Sequence, residues 1–163
     1  MRRATSRIAI VAALLACAWP AAAGQRTAEV LWSNFTPDGQ GGQASRQCVK
    51  ALEKKLTEGD TKLHRLGETA MRKLVGKSRD EAFLSWSADV YRPAKAATSE
   101  RQEAIDTIVL VDCRPAAQQL DVVIVPPSHG VVRISLRGVP IDDAATQIVG
   151  EAIERRAWAD FVP

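Results

Sequence analysis

The sequence predicts an α/β domain: a two-layer sandwich in which helices pack on a mixed sheet of about four to five strands. Three observations lead there. Ile108-Val109-Leu110-Val111 is an unbroken, mostly β-branched run, the mark of a central strand buried on both faces. Val132, Ile134 and Leu136 alternate with Arg133, Ser135 and Arg137, a period of two that marks a strand with one wet face. Cys48, Val49, Leu52 and Leu56 recur at helical spacing along one face of a segment whose other side carries Lys50, Glu53, Lys54 and Lys55.

The remaining elements follow in order. Ala28 to Trp32 reads as a first strand. Thr36-Pro37-Asp38-Gly39-Gln40-Gly41-Gly42-Gln43 breaks both regular periods and reads as a loop. Ser45 is placed to cap the first helix, which Gly59-Asp60 ends after Glu58. Leu63 to Leu66 is a short second strand, and Thr69 to Val75 a short helix stopped by Gly76. Ser78-Arg79-Asp80-Glu81 has capping-box form and predicts a helix presenting Ala82, Phe83 and Trp86. Arg92 to Glu100 reads as an exposed connection. Ile105 to Cys113, Leu120 to Val125 and Val132 to Arg137 are then strands joined by short turns, hence an antiparallel meander. A last helix follows Pro140, with Ile141, Ala145, Ile148, Val149, Ala152 and Ile153 on its apolar face. Asp142 and Asp143 at its start and Arg155 and Arg156 at its end complement the helix dipole. Trp158 and Phe161 are expected to dock the C-terminus.

Residues 1–23 read as a cleaved secretory signal, and residues 24–163 as one globular domain. Arg2, Arg3 and Arg7 give a basic start, Ile8 to Ala18 an uncharged run, and Ala21-Ala22-Ala23 a small-residue cleavage site. The run is 11 residues long, too short to span about 30 Å of hydrocarbon. Leu14-Leu15-Ala16-Cys17 offers an alternative, a lipobox in which Cys17 is lipidated. The expected location is periplasmic or secreted, with no transmembrane segment.

Cleavage changes the charge. Of 22 Lys and Arg, three lie in the signal, which leaves 19 against 19 Asp and Glu. The net charge of +3 therefore belongs to the targeting segment, and nucleic-acid binding loses its main support. Of the three Cys, Cys48 and Cys113 remain, an even number in an oxidising compartment, and are expected to pair. Two buried free thiols are the alternative. Two separated Cys and the lone His64 and His129 show no metal-ligand spacing.

The element order resembles the periplasmic TolB N-terminal-like α/β domain. The likeness rests on the early strand and polar loop leading into a helix. It continues through the Asp106-Thr-Ile-Val-Leu-Val111 run, the hairpin of Leu120–Val125 with Val131–Leu136, and the closing helix. It implies an accessory role in the envelope. The propeller that follows this domain in TolB is absent, so Tol-system function does not carry over.

Candidate chemistry is sparse. Gly39-Gln40-Gly41-Gly42-Gln43-Ala44 fits G-x-G-x-x-A between a strand and a helix, which suggests nucleotide binding, but Pro37 and Asp38 lengthen the loop beyond a tight turn. His129 with a nearby acid would be the core of a small secreted hydrolase, although Pro126-Pro127-Ser128-His129-Gly130 reads first as a turn. The carboxylate pairs Asp80-Glu81 and Asp142-Asp143 both fall at helix starts. No catalytic, cofactor-binding or metal-binding residue is assigned. Arg133 and Arg137, on one strand face, are the candidate partner surface. The expected function is an exported, noncatalytic envelope module that binds a protein partner, with the hydrolase and the nucleotide-binding domain as alternatives.

Overall fold

The computed structural model describes residues 28–36, 42–59, 61–76, 81–100, 105, 107–126 and 130–157. The expected signal segment, Cys17, Gly39 to Gly41, His129, Trp158 and Phe161 lie outside the described residues. Along the chain come β1 (Ala28–Asn34), α1 (Gly42–Glu58), β2 (Thr61–Arg65), α2 (Glu68–Val75) and two 3-10 turns (Phe83–Ser85 and Ala88–Tyr91). They are followed by α3 (Arg92–Glu100), β3 (Thr107–Arg114), a 3-10 turn (Pro115–Ala117), β4 (Gln119–Val125), β5 (Val132–Arg137) and α4 (Asp143–Ala157).

The five strands form one mixed α/β sheet in the order β2-β1-β3-β4-β5. β1 pairs in parallel with β2 and with β3, while β3–β4 and β4–β5 are antiparallel. The meander expected from the short connections is present. β3 sits at the centre, and every residue from Thr107 to Cys113 is buried. This is the burial that its continuous apolar run requires.

Alternation along the strands divides the core in two. Val30, Trp32, Val109, Val111, Val122 and Ile124 face α1 and α4, meeting Leu52, Leu56, Val149 and Ile153. Leu31, Ile108, Leu110 and Val123 point the other way, against Met71 and Val75 of α2, Phe83, Trp86, Tyr91 and Ala94. Helical segments therefore cover both faces of the central strands. α1 and α4 touch closely at Gly150, where a Cβ would lie 2.8 Å from Lys55 Cγ, so any larger residue pushes the two helices apart.

Four local expectations are corrected. The first is the helix expected after the capping box. Residues 77–80 lie outside the described residues, and the segment beyond them forms two 3-10 turns instead. Phe83, Trp86 and Tyr91 enter one apolar cluster, while the carbonyls of Leu84 and Trp86 accept from the Arg133 side chain of β5 rather than from N–H groups one helical turn on. The second is Arg92 to Glu100, which is the helix α3 rather than a connection. Pro93 falls in its first turn, where its missing N–H costs no helical bond, and Ala94, Ala96 and Ala97 are strong helix formers. The third is Ile148, which is 68% exposed because the inward stripe of α4 runs through Thr146, Val149 and Ile153. α1 also begins earlier than expected, at Gly42 rather than at a Ser45 cap.

Candidate functional site

β5 is the last strand of the sheet, and among the described residues no strand neighbours its outer edge. Its register fixes which backbone groups face outward. The Gly138 N–H donates to Gln118 O at 3.0 Å, which makes that level a hydrogen-bonded pair. Antiparallel ladders alternate. Leu136, Ile134 and Val132 therefore bond to β4, while the N–H and C=O groups of Arg133, Ser135 and Arg137 point away from it.

The side chains of those three residues lie on the sheet face opposite α1 and α4. Arg133 reaches across to the first 3-10 turn, donating from Nε to Leu84 O at 2.9 Å and from its terminal nitrogen to Trp86 O. Arg137 donates to Asp121 Oδ2 at 2.7 Å, and Ser135 Oγ donates to Asp121 Oδ1 at 2.7 Å. Both arginines of the candidate partner surface thus anchor parts of their own chain. The Arg137 side chain nevertheless remains 56% exposed.

Two levels of charged residues run across β3, β4 and β5. Asp112, Asp121 and Ser135 are in register on one level, and Arg114, Gln119 and Arg137 on the next. The carboxylates of Asp112 and Asp121 are buried side by side. Arg114 holds Asp112 through two bonds of 2.9 and 2.7 Å. This pairing raises the Arg114 pKa, chiefly through the hydrogen bond to Asp112, so the guanidinium stays charged. Gln119 Nε2 donates a third bond, of 2.7 Å, to the Asp121 carboxylate.

These residues floor a cleft of about 260 Å³. Phe35, Phe83 and Leu84 contribute apolar lining, and Glu68, Arg72 and Glu81 close it with further charge. The Arg72 guanidinium lies 4.9 Å from the centre of the Phe35 ring and is paired with Glu68 at 2.8 Å. Periodicity alone does not single out this cleft. Asp112 and Asp121 sit within apolar runs, and a lone acid there signals nothing until the register of the two strands is known.

The other candidates are dispersed. Cys48 of α1 and Cys113 of β3 form the expected disulfide. Beside it, Thr36 Oγ1 accepts the Cys113 N–H at 2.8 Å, tying the chain that leaves β1 to the end of β3. His64 is paired with Glu29 across β2 and β1. Of the glycine loop, Gly42 to Ala44 are the opening residues of α1 and the rest lies outside the described residues. Asp142 Oδ1 accepts the Ala145 N–H at 2.9 Å, an N-cap contact at the start of α4. Trp32 and Trp86 are core residues. Among the described residues no group of three or more His, Cys, Asp and Glu could hold a metal ion, and no helix is long and apolar enough to cross a membrane.

No family model, no curated protein and no solved structure matches this chain.

Proposed function

We propose that this chain is an exported, noncatalytic module that binds a protein partner in the cell envelope, and that the partner adds an extended segment to β5. The observation that carries this is the outer edge of β5, unpaired among the described residues, with the outward backbone groups of Arg133, Ser135 and Arg137 in a row. Such an edge takes a strand through main-chain hydrogen bonds, and the neighbouring side chains give the selectivity. Arg137 stands half-exposed beside that edge, so a partner segment with Asp or Glu at alternate positions is the best match. The opposite edge is a poorer template, since β2 has five residues and its Lys62 and His64 are engaged by Glu29.

The secretion-type N-terminus and the resemblance in element order to the TolB N-terminal-like domain support the envelope setting. The Cys48–Cys113 bond fits an oxidising compartment. The test is site-specific photocrosslinking in the exporting cell, with the crosslinking residue at Arg137, Lys62 or Lys50 in turn. One discrete adduct from position 137, absent from 62 and 50, is expected. Adducts only from the β2 edge or α1, or none at any position, would contradict the reading.

A further inference from the structure

The cleft lies where the chain reverses its winding. From β1 the chain passes through α1, on one face, to β2. From β2 it passes through α2 and α3, on the other face, to β3 on the far side of β1. The strand order therefore reverses between β1 and β3, with β1 leaving its carboxyl end for α1 and β3 leaving its own by the Pro115–Ala117 turn into β4. Open α/β sheets bind ligands at such a point, outside the carboxyl ends of the strands. Phe35 directly follows β1, Asp112 and Arg114 end β3, and all three line the cleft.

The lining suits a particular chemistry. Arg114 and Arg137 stand on the outer level with Gln119 between them, their Cα atoms about 10 Å apart across two strand spacings. Each guanidinium has five N–H donors, and the bonds to Asp112, Ser135 and Asp121 use two on each. The outward donors fit a carboxylate. The buried Asp112 accepts one bond at each oxygen and has lone pairs left for an ammonium. An ion of one sign entering here meets groups of its own sign, whereas a ligand carrying both signs finds an opposite for each. Phe35, Phe83 and Leu84 add an apolar side to the same space. The volume of about 260 Å³ is below that of a drug-sized pocket and matches a single amino acid.

We propose that this switch-point cleft is a binding site for a small α-amino acid with an apolar side chain. The Arg114 and Arg137 guanidinium groups take its carboxylate, Asp112 takes its ammonium, and the Phe83 side of the cleft takes its side chain. The site shares Arg137 with the β5 edge, but Asp112, Arg114 and Phe83 belong to the cleft alone and the outward backbone groups of β5 to the edge alone, so variants at those positions separate failure of one reading from failure of the other.

The test is titration of the nitrogen-15-labelled mature chain with L-alanine, L-leucine and L-phenylalanine, followed by nuclear magnetic resonance and calorimetry. Two leucine analogues complete the set: 4-methylpentanoate, which lacks the ammonium, and isoamylamine, which lacks the carboxylate. Saturable binding of at least one amino acid in the millimolar range or tighter is expected, with shifts confined to Arg114, Gln119, Arg137 and the Phe83 turn. Each analogue should bind about tenfold more weakly than leucine, or worse. The double variant Asp112→Asn/Arg114→Gln removes both charges together, so neither is left buried alone, and should lose about tenfold in affinity or more. Ala82→Trp fills the cleft from an exposed position without touching the charged network, and should abolish binding should the double variant fail to fold. No saturable binding of any of the three, equal binding of the single-charge analogues, or full affinity in Ala82→Trp would overturn the proposal.

Discussion

Arg133 performs a task that strand periodicity does not assign to it. As a residue on the wet face of an alternating strand it reads as solvated, yet its guanidinium holds the carbonyls of Leu84 and Trp86, nearly 50 residues away in sequence. Those carbonyls belong to a segment with little regular structure, so Arg133 replaces the ladder that the segment lacks. Arg133→Ala should therefore destabilise the domain by about 1–2 kcal/mol, with faster amide exchange at residues 84–86. A lysine should recover little of it, because one ammonium does not reproduce the fork that spans both carbonyls. Thermal unfolding and hydrogen exchange check both points. Tyr91 gives a second residue-level expectation. Its hydroxyl donates to Phe83 O at 2.9 Å, and burial pushes its pKa well above the ordinary value. The folded state thus holds the phenol proton where the unfolded chain would release it, so stability falls as pH rises through about 10. Tyr91 is the one tyrosine of the chain, so phenolate absorbance should appear together with alkaline unfolding and not before it. Tyr91→Phe should lose about 1 kcal/mol at neutral pH but flatten the alkaline decline.

Among the elements, those with a clean period were legible in the sequence and those shaped by their neighbours were not. β3, β5 and α1 each show an unambiguous pattern, and each appears close to where that pattern puts it. α3 was hidden because Pro93 and the small residues after it signal a loop, while its place is set by Ala94 packing into the second apolar cluster. The 3-10 turns were hidden because Phe83, Trp86 and Tyr91 also fit a helical stripe, while the contact that holds the carbonyls of Leu84 and Trp86 comes from Arg133, far along the chain. The candidate cleft was illegible for a related reason. Asp112 and Asp121 are nine residues apart in sequence and become neighbours only through the β3–β4 register. The disulfide was legible from the two cysteines that follow the expected signal segment, and it has a measurable consequence at this scale. It ties α1 to β3 over a separation of 65 residues, which constrains the unfolded chain. On the loop-entropy account, reduction or Cys48→Ala/Cys113→Ala should cost about 4 kcal/mol in denaturant unfolding. A loss near zero would mean that packing of Leu52 and Leu56 alone seats the helix.

At the scale of the whole molecule, the described residues close the sheet on both faces and leave one long edge, that of β5, unpaired. α1 and α4 cover one side, and α2, α3 and the 3-10 turns cover the other. Parallel pairing at β1 and antiparallel pairing at β4 and β5 divide the sheet into a wound half and a meander half. The charged network joins the last three strands near the carboxyl ends of β1 and β3. The proposed partner binding uses the side of β5 that faces away from β4, where the backbone of Ser135 points outward and its hydroxyl is spent on Asp121. That division of roles permits a direct test. Ser135→Pro removes one outward N–H without removing a bond to β4, a change that edge strands tolerate. Ser135→Ala removes only the hydroxyl contact with Asp121 and keeps the N–H. The decisive measurement is the affinity of both variants for the partner crosslinked at position 137, with unfolding curves recorded alongside. Strand addition at β5 predicts that Ser135→Pro loses about tenfold in affinity or more while Ser135→Ala stays near wild type. Equal affinity of the two variants, both folded, would contradict it.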